Sequence, residues 1–285
     1  MNRYDATKKI SILGIAANIF LLIIKLAAGF MSKSQAMIAD GFNSAGDVFA
    51  SSMTYAGNRI ASKPTDKTHP YGHGKAEYIF SMIISFSLAL VSFRIFASSL
   101  NSIINYSKLT FNWYLLATAI TTIIMKTALF LFTKKQGKKY DSLLIIANSE
   151  DHRNDVFVTS STLASILFSK FGVYWLDGAV GIGISLWIGY TSYKIYRSSY
   201  RVLMDTNIDE LMYNKINNII SSIEGVDHID DIKAKPIGNK YLVIVKVSVN
   251  GSIPVSKGHS IAAEIRHQCR KIDFVNDAVV HINPV

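Results

Sequence analysis

Residues 143–169 read LLIIANSEDHRNDVFVTSSTLASILFS, an apolar, membrane-length stretch interrupted near its middle by Asp151 and Asp155. Spacing of i, i+4 puts the two carboxylates on one helix face, about one turn apart. The pattern has a counterpart upstream, Asn43-x-x-x-Asp47, inside another apolar stretch at 36–58. An Asp at the centre of a spanning helix costs on the order of 3 kcal/mol on insertion scales. Three such carboxylates call for a function. Two oxygen-bearing pairs facing each other make a four-ligand site for a hard metal cation, with Asn43, Asp47, Asp151 and Asp155 as the candidate ligands.

Around these pairs the chain is built like a membrane protein. Of its 285 residues 49% are hydrophobic and 18% charged, too apolar a balance for a soluble domain of this length. The apolar residues concentrate in the first 200 or so. They predict six spans near 10–32, 36–58, 78–101, 112–133, 143–169 and 172–194, each able to cross a hydrocarbon core of about 30 Å. The second and fifth carry the polar pairs, and their Ser, Thr and small residues suit helices packed inside a bundle. No cleavage site follows the first span, which is expected to be retained.

Lys and Arg orient the spans. Fourteen fall on one side: Arg3, Lys8, Lys9, Arg59, Lys63, Lys67, Lys75, Lys134, Lys135, Lys138, Lys139, Lys194, Arg197 and Arg201. Lys33, Lys108 and Lys170 fall on the other. Both termini are therefore expected to be cytoplasmic. Trp113 with Tyr114, and Tyr174 with Trp175, then stand where an outer aromatic belt belongs. Topology accounts for the net charge of +10 without nucleic acid. The single cysteine, Cys269, excludes an intrachain disulfide and a thiolate metal cluster.

From about Asp205 the character changes, dividing the chain into a membrane domain over 1–204 and a tail over 205–285. Apolar residues at helical spacing predict a helix over 207–224, with Asn207 as N-cap, Glu210 three residues on, and Gly225 as the stop. Residues 228–236 and 240–249 read as strands joined at Gly238-Asn239. Tyr241, Val243, Val245, Val247 and Val249 share one alternating face. A helix near 256–271 and a strand near 276–282 complete an α-β-β-α-β order. This is a small ferredoxin-like α+β domain lacking the leading strand. So small a core calls for dimerisation or docking.

Other readings of the polar residues stay open. Asn43 and Asp47 can serve as interhelical hydrogen-bonding residues, and Lys126 can pair with an Asp. Lys25 and Arg94 lie toward the ends of their spans, where they can snorkel. His152 and Arg153 point about 100° and 200° from Asp151 around a helix and are expected outside the metal's ligand set. Asp40 shares part of Asn43's face, as a residue of the entrance or one supporting the ligands. Asp66, His69 and His73, in the loop between the second and third spans, read either as a peripheral metal site or as ordinary solvated turn residues.

Three segments together resemble the cation diffusion facilitator family over essentially the whole chain. Ala39-Asp40-Gly-Phe-Asn43-Ser-Ala-Gly-Asp47 is similar to its second-helix motif, and Glu150-Asp151-His-Arg-Asn-Asp155-Val156 to its fifth-helix motif. His69-Pro-Tyr-Gly-His73-Gly-Lys75-Ala-Glu77 is similar to its loop signature. The resemblance implies a homodimeric exporter in the cell membrane that exchanges a divalent cation for protons, with a tetrahedral site built from the second and fifth helices. It matches Asp66 and His73 to a loop metal site, and Lys75 with Asp205 to a salt bridge that helps hold the dimer. His259 and His281 match two ligand positions of a tail site.

The departures bear on the metal. Zinc members place a His in one or both pairs, whereas this set is Asn-Asp/Asp-Asp. Imidazole suits zinc, and carboxylate with carbonyl suits Mg, Ca or Mn. Mg²⁺ dehydrates reluctantly, which disfavours a compact four-side-chain site. Mn²⁺ is the favoured ion, resembling the manganese branch, with Fe²⁺ and Zn²⁺ as alternatives. In the tail, Asp230, Lys246 and Asn283 stand at the remaining ligand positions, and the Lys246 charge opposes a zinc-type cluster. No prosthetic group and no enzyme activity are expected. A metal-gated channel or sensor is the reading from another class. A membrane hydrolase lacks a nucleophile–base arrangement.

Overall fold

The long apolar runs form six helices of 27–30 residues: α1 (Arg3–Ser32), α2 (Gln35–Ala61), α3 (Ala76–Asn105), α4 (Trp113–Lys139), α5 (Leu143–Ser169) and α6 (Trp175–Leu203). The computed structural model describes residues 3–32, 35–105, 113–169 and 175–285. Within them the side chains of 29, 32, 35–43, 102, 105, 115, 162, 165–169 and 175–177 are left out of the description. Asp40 and Asn43 are among these, so the expectations placed on their side chains lie outside the described residues.

Among the described residues, three helices are long and apolar enough to cross a membrane by length and composition, over Arg3–Ala28, Ala76–Asn101 and Leu116–Lys139. The polar pairs sit on α2 and α5, outside that set. The distribution of apolar surface fits a lipid solvent: on α3, Leu90 and Phe93 are 71% and 72% exposed, while Ser81 and Ser85 are buried. Several buried hydroxyls are satisfied within their own helix, as where Ser11 donates to the Thr7 carbonyl and Thr133 to that of Leu129. Gly137 brings α4 against the start of α5, where a Cβ would lie 2.8 Å from Ile146 Cγ1. At this end buried Glu77 accepts from Arg3 Nη2 at 2.6 Å and Ser142 Oγ at 2.7 Å, which ties α1 and α3 to the α4–α5 turn.

The chain divides into two compact units, Met1–Ser62 with Ala76–Tyr200, and Lys63–Lys75 with Arg201–Val285. The second contains α7 (Glu210–Ser221), β1 (His228–Ile237), β2 (Lys240–Val249), α8 (Val255–Arg270) and β3 (Val275–Pro284). The sheet order is β1-β2-β3, with β1 antiparallel and β3 parallel to β2. Period-two alternation buries Val243, Val245, Val247 and Val249 against Ile216 and Ile220 of α7 and Ile261 and Ile265 of α8. Gly225 adopts φ +95°, a conformation only glycine takes freely, just after the helix.

The N-cap of α7 differs from expectation. Asp209 holds that position, accepting from Met212 N at 2.9 Å. Asn207 Oδ1 instead accepts from Ala234 N at 2.9 Å, anchoring the approach to α7 on strand β1.

Candidate metal centre

Asp47 of α2 and Asp151 and Asp155 of α5 line one cavity of about 370 Å³ within the helical unit. Arg94 and Ser98 of α3 and Ser161 of α5 line it too, so it runs from the carboxylates toward the end of the bundle where α3 and α5 finish. Three polar contacts pin the floor. Asn18 of α1 donates to the Asp47 carbonyl at 3.0 Å and to Ser51 Oγ at 2.9 Å. Ser51 in turn meets the Asn148 amide of α5 at 3.4 Å. All three side chains are buried, so α1, α2 and α5 are held together one turn below the carboxylates.

Lys126 of α4 enters the same cluster. Its fully buried ammonium lies 2.8 Å from Asp47 Oδ2 and 2.5 Å from Asp155 Oδ2. Lys25 of α1 is buried as well and acts electrostatically on Asp47, rather than snorkelling. The Oδ2 atoms of Asp151 and Asp155 are both buried without a hydrogen-bond partner, and of the two only Asp155 is ion-paired to Lys126. A buried carboxylate oxygen left this way is costly, and a cation relieves the cost.

His152 is nearer than its spacing from Asp151 implied. One ligand atom each from Asp151, His152 and Asp155 lie within 4.8 Å of one another. The overlooked relation is to Asp155, three residues on, since i and i+3 share a face. Both ring nitrogens of His152 and both amide atoms of Asn154 are buried without hydrogen-bond partners. Arg153 turns away: it ion-pairs with Glu150, donates to Thr191 Oγ1 at 3.1 Å, and sits over the Trp187 ring.

The loop residues gather in the second unit. Asp66 Oδ1 is 3.2 Å from His69 Nδ1, and Asp66 Oδ2 is 3.5 Å from His73 Nε2. The Thr68 hydroxyl and the His69 backbone N–H hold the Asp66 carboxyl down at about 2. His73 Nδ1 faces the Pro64 carbonyl at 3.1 Å, which turns Nε2 toward Asp66. One ligand atom from each of Asp66, His69 and His73 lies within 4.8 Å of the others, close enough for the three to reach one ion.

Lys75 Nζ donates to Asp205 Oδ1 at 2.5 Å, and this contact first of all lowers the Asp205 carboxyl below the usual range. Both ends of the pair lie in the second unit. The 63–75 loop packs there, with Lys235 over the Tyr71 ring and Gly74 against Gly238. In the tail, His259 and His281 line a shared cavity of about 460 Å³. Asp230 belongs to a separate group. It accepts from Asn283 at 2.9 Å and Ser248 at 3.0 Å, with His228 Nε2 at 3.1 Å.

Comparison with known proteins covers nearly all of the chain. Residues 11–204 match the family model of the cation efflux transmembrane domain, and residues 208–285 that of the cation efflux protein cytoplasmic domain. The chain is 32% identical to the manganese efflux system protein MneS of Bacillus subtilis over 288 residues, covering 100% of this chain and 99% of that one. It is 30% identical to MneP of the same organism, covering 99% and 97%. The cation-efflux pump FieF of Shewanella oneidensis is 25% identical, covering 100% and 96%.

Proposed function

The chain belongs to the cation efflux family, and from that premise we propose that it exports Mn²⁺ from the cytoplasm in exchange for protons. Asn43, Asp47, Asp151 and Asp155 hold the ion in transit, with His152 at the edge of the site. The observation that carries this reading is the convergence of three carboxylates from α2 and α5 on one cavity, with Asp151 Oδ2 lacking a donor. An oxygen-rich set favours Mn²⁺ over zinc, and the manganese efflux relatives support the same choice. Protons and metal compete for the same carboxylate oxygens, which couples the two fluxes.

In this reading six helices span the cell membrane with both termini in the cytoplasm. Residues 1–204 form the transport domain, and residues 205–285 the cytoplasmic part that supports a homodimer. The cavity then leads from the carboxylates outward, the side to which the metal is released. Asp66, His69 and His73 bind a second metal on the cytoplasmic loop, while Asp230 is already saturated by protein donors. The test is uptake into inside-out vesicles with an imposed pH gradient, offering Mn²⁺, Fe²⁺ and Zn²⁺ separately. Preferred Mn²⁺ uptake that collapses with the gradient is expected. Uptake indifferent to the gradient makes the chain a channel, and preferred Fe²⁺ or Zn²⁺ uptake moves the selectivity elsewhere.

A further inference from the structure

We propose that Lys126 is a tethered counter-ion that occupies the metal's place between Asp47 and Asp155 and must be displaced for a cation to bind. This rests on the reading of Asp47, Asp151 and Asp155 as transport ligands. The ammonium contacts Oδ2 of both aspartates, at 2.8 and 2.5 Å, and Lys126 is fully buried. It comes from α4, a helix that supplies none of the candidate ligands. A buried ammonium persists only where it is paired, so its position is fixed by the two carboxylates. A metal binding the same two oxygens would place two like-charged cations side by side in a buried site, where repulsion is little screened. Metal binding and the Lys126 contacts therefore exclude each other.

Room for the exchange is at hand. The four-carbon stem of lysine is flexible. The cavity beside the carboxylates is also lined by Asn154, whose buried carbonyl oxygen has no hydrogen-bond partner. Two consequences follow for transport. The metal-free site carries part of its charge compensation within the chain, and the ammonium keeps metal affinity low enough for release.

The experiment is calorimetric Mn²⁺ titration of the purified full-length protein at one fixed pH. Lys126→Met removes the charge while keeping the volume, and at least a tenfold tighter affinity is expected. Lys126→Gln is the second variant should the Met form fail to fold, and the same direction is expected. Lys126→Arg keeps the charge, and affinity at or below wild type is expected. Tighter binding in either neutral variant is a result that a purely structural lysine does not give, since its loss would loosen the site. Unchanged or weaker Mn²⁺ binding in a folded neutral variant overturns the proposal. Asp155→Asn in the same titration separates the two readings. If it binds Mn²⁺ as wild type does, the ligand assignment itself fails. If it loses binding while the neutral Lys126 variants do not tighten, only the counter-ion proposal falls.

Discussion

The helical unit and the tail both gather aspartates and treat them in opposite ways. In the helices, Asp47 and Asp155 share the Lys126 ammonium, and the Oδ2 atoms of Asp151 and Asp155 are buried without a hydrogen-bond partner. In the tail, Asp230 alone has Asn283, Ser248 and His228 around it. The Asn283 hydrogen bond, first among these, holds the Asp230 carboxyl below its usual range, and Asp227 with Asp230 raises His228. A carboxylate whose two oxygens are both supplied with donors by its own chain, as in Asp230, gains little from a metal. One that is buried and short of donors gains a great deal. The same residue type thus marks a binding site in one region and a structural clasp in the other.

The largest expected effect comes from removing the undersupplied carboxylates. Asp47→Ala and Asp155→Ala should reduce vesicle export to the background of empty vesicles while the protein still purifies as a folded species. Export retained in either variant breaks the comparison at its stronger end. Asn43→His should move the Mn²⁺ to Zn²⁺ uptake ratio toward zinc by about tenfold, the equivalent of ~1.4 kcal/mol. An unchanged ratio would show that Asn43 does not set selectivity. Asp230→Asn should leave export at the wild-type level, and lost export would show that the tail site participates in transport.

The smallest effect is acid titration of the tail. Bidentate Arg266, with hydrogen bonds of 2.8 and 2.6 Å, holds the Asp277 carboxyl down at about 2. Its folded value is thus below the unfolded value of about 3.9. The stabilisation from this pair is therefore present above about pH 4 and is lost as pH falls toward 2. Carbon-13 shifts of labelled aspartate side chains should show Asp277 still ionised at pH 3. A midpoint near 3.9 would remove the clasp from the account.

Much of this was readable in the chain because the signals are local. The six apolar runs give the helix order, and period-two alternation from Tyr241 to Val249 gives the central strand of the tail. The i, i+4 spacing puts Asp151 and Asp155 on one face. What escaped depends on partners distant in sequence. Asn207 looks like a cap by its neighbours, yet its oxygen is taken by Ala234 N, 27 residues away. Lys126 is 79 residues from Asp47, so spacing could only leave the pairing open. Lys25 resembles a snorkelling residue until α1 packs against α2 and buries it. His152 was a lapse of a different kind, since its i, i+3 relation to Asp155 was present in the sequence.

The central claim is that the cation sits among Asp47, Asp151 and Asp155. Anomalous diffraction at the manganese edge from crystals of the full chain grown with Mn²⁺ tests it most directly. The account predicts a peak coordinated by oxygens of these three aspartates, with the Lys126 ammonium moved away from Asp47 and Asp155. A peak confined to Asp66, His69 and His73, with Lys126 still bridging the two aspartates, would contradict it.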